Sequence, residues 1–266
     1  MGDTGSGPPQ LRPGRALAHT TGASGSGGSP HRSDSRSPQT PRGVRRPGLY
    51  GRLGTTPPVP GRPTLSLATL ALLFAFLTWQ VAVDTPLRRA DERLGRAAAD
   101  GPLPDGFAEL LADLGNFTVA VPVLVVTLAY VAWRARRAGT PRWWLPGLAA
   151  LVTMAAVPAL VVPLKEAVGR TGPPGMAGAA YYPSGHTATA AVAYGAAVLL
   201  LLPWLRGSHV RRELTLGCLV LVAAVGFGLV RRGYHWPLDV VASLVLSAML
   251  LIGLRAFLKS RHSRRS

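Results

Sequence analysis

WLPGLAALVTMAAVPALVVPL, running from Trp144 to Leu164, contains no charged residue and is followed at once by Lys165 and Glu166. A helix rising 1.5 Å per residue needs about 20 apolar residues to cross roughly 30 Å of hydrocarbon, and this stretch supplies them. A helix also satisfies its own backbone hydrogen bonds, which is the condition for sitting in lipid. Runs of comparable length, about 17 to 22 residues, recur at Leu65 to Val83, Phe117 to Trp133, Thr187 to Trp204, Leu214 to Val230 and Leu238 to Phe257. Together they predict an all-α fold, a polytopic membrane helical bundle with about six transmembrane helices.

Between the first two runs, Asp84 to Asn116 is polar and charged, but Leu87, Leu94, Leu110, Leu111 and Leu114 recur in a pattern that predicts short helices lying on the surface. The chain as a whole, 266 residues with 48% apolar content and a formal charge of +17, keeps its charge and its apolar residues in separate segments. Met1 to about Arg62 is dense in Gly, Pro, Ser, Thr and Arg and holds few large apolar residues, so ordering it would cost more entropy than its burial returns. We therefore expect a disordered basic cytoplasmic tail over 1–62, a six-span domain over 63–258 and a short basic cytoplasmic tail over 259–266. No charged, apolar and small-residue sequence opens the chain, so a cleavable secretory signal is not expected.

A pI near 11.6 raises the question of nucleic acid. The basic residues, however, sit in the tail, in short loops and at the C-terminus, with no aromatic and basic interleaving, so no nucleic-acid partner is expected. The single cysteine, Cys218, excludes an intramolecular disulfide and a cysteine-based metal site. Arginine supplies nearly all the cationic charge, because Lys165 and Lys259 are the only lysines. This arginine-rich, alanine-rich usage points to a GC-rich, bacterial genome.

Arginine also sets the expected orientation. Arg134, Arg136, Arg137 and Arg142 follow the second span, Arg206, Arg211 and Arg212 follow the fourth, and Lys259, Arg261, Arg264 and Arg265 follow the sixth. With six spans all three groups share one side, and the positive-inside rule assigns both termini to the cytoplasm of a plasma membrane. The connections after the third and fifth spans then face outward.

Those two connections carry the chemistry. They contain KEAVGRTGPPG (Lys165 to Gly175), YYPSGHT (Tyr181 to Thr187) and RRGYHWPLD (Arg231 to Asp239), each at the outer end of a predicted span. His19, His31, His209 and His262 fall in tails or a cytoplasmic loop and read as solvated. His186 and His235 stand where an apolar span meets water, where an imidazole transfers protons or attacks phosphorus near neutral pH. Asp239, four residues after His235, shares its helical face; it reads either as a capping carboxylate or as the partner that fixes the imidazole tautomer. Ser184 and Gly185 open the fourth span, where a helix N-terminus offers free amides to an anion, although Ser184 also reads as a simple N-cap. Lys165 closes the third span, either snorkelling to the interface or making a specific contact that arginine does not.

In order, spacing and membrane side these stretches resemble the three signatures of the type 2 phosphatidic acid phosphatase (PAP2) superfamily, membrane-bound branch: Lys-x6-Arg-Pro, Pro-Ser-Gly-His and Ser-Arg-x5-His-x3-Asp. The resemblance spans roughly Thr64 to Phe257. Pro183, Ser184, Gly185 and His186 complete the second signature, and His235 and Asp239 keep the interval of the third. Two positions depart from it. Gly172 stands where the first signature has arginine, the nearest being Arg170; Gly228 and Leu229 stand for Ser-Arg in the third, with Arg231 and Arg232 following. Two residues along a helix is a rotation of about 200°, so Arg231 replaces the missing arginine only if the end of the fifth span unwinds.

The resemblance implies a lipid-phosphate phosphatase acting at the outer membrane face. His235 would be the nucleophile that forms a phosphohistidine, Asp239 its orienting partner and His186 the acid on the leaving oxygen. Lys165, Arg170, Ser184, Gly185 and Arg231 would hold the phosphate, with no metal and no cofactor. Phosphatidic acid, phosphatidylglycerol phosphate and polyprenyl phosphates or diphosphates all suit such a site. The displaced arginines motivate an alternative, a catalytically impaired membrane protein of the same fold that binds a lipid head group or a partner. A soluble haloperoxidase of related architecture is disfavoured by the six spans.

Overall fold

The structure, a computed structural model, describes Gly2 and residues 62–263, so the expected N-terminal tail and residues 264–266 lie outside the described residues apart from Gly2 and Arg62. The elements are α1 (Arg62–Ala82), α2 (Pro86–Ala99), α3 (Asp105–Asp113), α4 (Phe117–Arg137), α5 (Leu145–Val168), α6 (Gly185–Leu201), a 3-10 turn (Leu202–Trp204), α7 (Ser208–Arg231) and α8 (Pro237–Ser263). The described residues contain no strand. Six of the helices are long and apolar enough to cross a membrane, and they coincide with the six runs of the sequence. Lys259 to Ser263, expected to open a C-terminal tail, continue α8.

α6 occupies the centre, packed against α4, α5, α7 and α8. Its sequence GHTATAAVAYGAAVLLL explains the position: Ala188, Ala190, Ala193 and Ala196 are almost fully buried and let neighbouring backbones approach closely, as small residues do between helices in lipid. A Cβ on Gly195 would lie 2.5 Å from Leu251 Cδ1 on α8, and one on Gly226 of α7 would lie 2.6 Å from Val240 Cγ1. The outer helices instead turn Leu72, Val126 and Val220 outward, the arrangement that hydrocarbon rather than water favours.

The two ends of the bundle differ. At the end holding the C-terminus of α4, Arg137 lies over Trp133, Arg136 over Trp143 and Arg134 over Trp204, an interfacial belt of aromatic and cationic side chains. Arg211 there donates through Nε to the carbonyls of Leu202 (3.0 Å) and Leu205 (3.1 Å) beyond the end of α6. At the other end α2 and α3 form the two short helices expected between the first spans. Leu94 is 61% exposed and Leu110 57%, whereas the buried positions are Asp91 and Gly95 on α2 and Ala108 and Ala112 on α3. Leu111 of α3 is half-buried against Gly228 of α7, and Leu114 just beyond α3 packs against the core.

Candidate active site

Asp239 stands in the first turn of α8 and is fully buried. Its Oδ2 accepts the Trp236 N–H (3.0 Å) and lies 3.3 Å from His235 Nδ1; its Oδ1 accepts Arg170 Nη1 at 2.6 Å. The carboxylate thus caps the helix and engages the imidazole together, the two readings the sequence left open. Gly233, with φ of 65°, reverses the chain beyond α7 so that Tyr234 and His235 donate their backbone N–H groups to Leu229 O (2.9 and 3.3 Å), carrying His235 back toward the bundle.

The start of α6 is tied to the same turn. Ser184 N–H donates to Asp239 O at 3.2 Å, and Ser243 Oγ lies 2.8 Å from both Ser184 O and Asp239 O. Ser184 Oγ accepts from the backbone N–H and hydroxyl of Thr187 (3.3 and 3.1 Å), which makes it the N-cap, while beyond it Gly185 is half-buried and His186 exposed. Lys165, in the last turn of α5, donates to Ala180 O at 2.8 Å and lies 6.0 Å from the Tyr181 ring centroid. That ring meets the His235 imidazole edge-on at 5.9 Å.

Tyr181 also accounts for the first departure from the signatures. A Cβ on Gly172 would lie 2.7 Å from Tyr181 Cε2 and Cζ, so the tyrosine ring fills the space that any side chain at 172 would need. At the second departure, a Cβ on Gly228 would lie 2.7 Å from both Ala108 O and Ala112 N, because α3 packs its backbone directly on α7 there.

Both displaced arginines are engaged by other groups of the protein. Arg170, placed just after the left-handed turn at Gly169, is 2% exposed; its Nη1 bonds Asp239 and its Nη2 bonds Asp91 Oδ2 at 2.5 Å. Arg231 donates to Ala99 O (2.5 Å) and Leu103 O (2.6 Å) and pairs with Asp105 (3.2 Å). Arg232 pairs with Asp105 (3.1 Å) and Glu109 (2.6 Å). The Tyr234 hydroxyl (2.7 Å from its Oε2) and then Arg232 hold the Glu109 carboxyl below the usual carboxylate range. Both arginines at the end of α7 therefore moor α3 and the connection before it.

Lys165, Gly185, His186 and His235 line one cavity of about 1000 Å³, and Arg170 and Arg231 are not among its lining residues. Below the polar mouth the walls are apolar: Val121 from α4 and Leu151, Met154, Val157, Pro158 and Val161 from α5. From Leu151 to Lys165 this wall extends roughly 21 Å along α5 at 1.5 Å per residue. Glu109, Asp113 and Asn116 border the mouth on the other side. Among the described residues no group of three or more His, Cys, Asp and Glu side chains gathers in a way that could hold a metal ion.

Asp91, Tyr181 and Glu109 take part in this arrangement without having been singled out in the sequence. The first sits in RRADERL, where an acid among arginines on a polar helix reads as an ordinary exposed pair. Here burial pushes its carboxyl up, against the pull of Arg170 and of the Leu238 N–H, which it accepts at 2.8 Å. A tyrosine preceding Tyr-Pro-Ser-Gly-His carries no separate signal.

Fold and site together define a helical integral membrane protein with two histidines and a lysine at the mouth of a cleft with a long apolar wall. Residues 146–263 match the family model of the PAP2 superfamily. It is also similar to the crystal structure of a transmembrane PAP2-type phosphatidylglycerolphosphate phosphatase from Bacillus subtilis, with a TM-score of 0.65 at 24% identity over 73% of this chain and 96% of that one; at that identity the likeness is one of fold. No curated protein matches the sequence.

Proposed function

We propose that this protein is a lipid-phosphate phosphatase working through a phosphohistidine at the outer face of a bacterial plasma membrane. The observation that carries the reading is the cleft, whose long apolar wall leads up to Lys165, His186 and His235. An amphiphile with its phosphate at the mouth and its chain along α5 fits that shape, whereas a soluble phosphate ester has no use for the wall. In the reaction His235 Nε2 attacks phosphorus as Asp239 holds Nδ1; the N–P bond forms, the P–O bond to the lipid breaks, and His186 protonates the departing oxygen. Water then attacks the phosphohistidine, giving up a proton to His186 and restoring both imidazoles. Lys165 and the amides at the start of α6 supply the positive complement to the phosphoryl oxygens.

The engagement of Arg170 and Arg231 elsewhere favours a second reading, a catalytically impaired protein that binds a lipid head group. Purified protein in detergent, presented with phosphatidic acid, phosphatidylglycerol phosphate and polyprenyl diphosphate, should release inorganic phosphate at a rate that EDTA does not change. Saturable binding of these lipids without phosphate release selects the second reading, and neither binding nor release overturns both.

The orientation is tested separately. With Cys218 replaced by serine, Ala179→Cys in the loop before α6 should react with an impermeant thiol reagent in intact cells, and Ser208→Cys at the start of α7 only after permeabilisation. Both positions are exposed, and Ala179 avoids the Tyr181 clash that Gly172 would create. The reverse labelling pattern would place the cleft mouth inside the cell.

A further inference from the structure

Arg170 is the most deeply buried cation described near the cleft, and it does not point into it. Each terminal nitrogen of its guanidinium takes a different carboxylate, Nη1 on Asp239 and Nη2 on Asp91, with side-chain exposures of 0%, 0% and 2% for the three groups. Asp91 in turn accepts the Leu238 N–H in the first turn of α8. The indole of Trp236 donates to Thr171 O at 3.0 Å and packs on Gly95 of α2, where an added Cβ would lie 2.6 Å from the ring. The extramembrane helix α2, the loop after α5 and the start of α8 therefore close on one another around the Asp239 carboxylate.

We propose that Arg170 and Asp91 are positioning residues for the His235–Asp239 pair, and that this inference rests on the phosphohistidine reading above. A carboxylate with only His235 and the Trp236 amide on Oδ2 is free to rotate about its terminal torsion, and its Oδ1 would be a buried, unpartnered charge. The planar guanidinium removes both problems: it bonds Oδ1, fixes the carboxylate plane and provides the cation that a desolvated anion requires. Asp91 holds the guanidinium from behind, leaving it no freedom to swing into the cleft. Lysine, a point charge with no fork, bonds one carboxylate and leaves the other without its partner. The arginine nearest the family's clamp position thus acts on the nucleophile rather than on the phosphate.

A clamp and a positioning residue separate in kinetics. A clamp residue contributes to phosphate affinity, so its loss raises KM and weakens inhibition by inorganic phosphate. A positioning residue leaves both nearly unchanged and lowers kcat, by roughly 10²-fold for a misplacement of about 1 Å. Arg170→Gln leaves two buried carboxylates unmatched and is prone to misfold, so the decisive variants are Asp91→Asn and the double variant Arg170→Gln/Asp91→Asn, which restores the charge balance of the pair. Both should fold in detergent, hydrolyse lipid phosphate with reduced kcat and be inhibited by inorganic phosphate as wild type is; Arg170→Lys should lie between. A second readout does not depend on turnover: carbethoxylation of His235 by diethylpyrocarbonate, located by mass spectrometry, should change severalfold in the double variant while that of His186 does not. Phosphate inhibition lost at unchanged kcat overturns the proposal in favour of a clamp. Unchanged kcat with equal His235 modification overturns it in favour of a purely structural ion pair. If wild-type protein releases no phosphate, the phosphatase reading fails by itself, and the modification rates still decide whether Arg170 governs His235.

Discussion

His235→Ala should lose turnover of lipid phosphates by about 10⁴-fold or more, the scale at which removing a nucleophile acts, and should form no acid-labile phosphoenzyme. The position has no substitute. His186 is on another helix, Tyr181 spends its hydroxyl on Ala177 O (2.9 Å), and Lys165 bonds Ala180 O. His186→Ala should behave differently, because an acid matters in proportion to how poor the leaving group is. With a lipid alcohol as leaving group the loss should be about 10²- to 10⁴-fold, the usual range for a general acid; with an aryl phosphate that expels an acidic phenol the formation of the phosphoenzyme should hardly change. Phosphate release kinetics on the two substrate types, with acid quench to trap the intermediate, measure both effects. Full activity in His235→Ala would remove the phosphohistidine from the mechanism, and equal losses in the rate of phosphoenzyme formation on both substrates would remove the acid role from His186.

The largest effect on stability is expected at Gly228. A Cβ there would meet backbone atoms, Ala108 O and Ala112 N at 2.7 Å, and the Leu111 Cβ at 2.8 Å. Backbone cannot rotate away as a flexible side chain does, so relief requires α3 to lift off α7. Gly228→Val should therefore cost about 3 kcal/mol, the upper end of the usual range for overpacking, and appear as a lowered thermal midpoint in detergent. Because α3 carries Glu109 and Asp113 to the cleft mouth, the variant should also raise KM for lipid substrate. Gly217 on the same helix is the control: nothing lies within 4 Å of its added Cβ, so Gly217→Val should change the midpoint little. Equal shifts at the two positions would mean that the α3–α7 contact does not carry stability.

The sequence by itself determined the six spanning helices, since length and hydropathy are properties of one segment and lipid leaves a segment few alternatives to a helix. It also named four of the residues that line the cleft, Lys165, Gly185, His186 and His235. His186 opens α6, His235 lies in the turn before α8 and Lys165 stands in the last turn of α5, positions that the limits of the apolar runs locate. The sequence left open whether Asp239 caps α8 or engages His235; in the tertiary structure its Oδ2 does both, accepting the Trp236 N–H and lying 3.3 Å from His235 Nδ1, while Oδ1 takes Arg170. Only the tertiary structure decided the fate of the arginines, because a guanidinium bonds whichever carboxylate or carbonyl the fold brings to it. Arg170 meets Asp239 and Asp91 from 69 and 79 residues away, and Arg231 meets Ala99 O from 132. The inward faces of α2 and α3 were likewise beyond a periodicity argument. Asp91, Gly95, Ala108 and Ala112 are the buried positions there, while Leu94 and Leu110 are exposed and Leu111 half-buried, so the packed side is marked by small and polar residues that a search for apolar periodicity passes over.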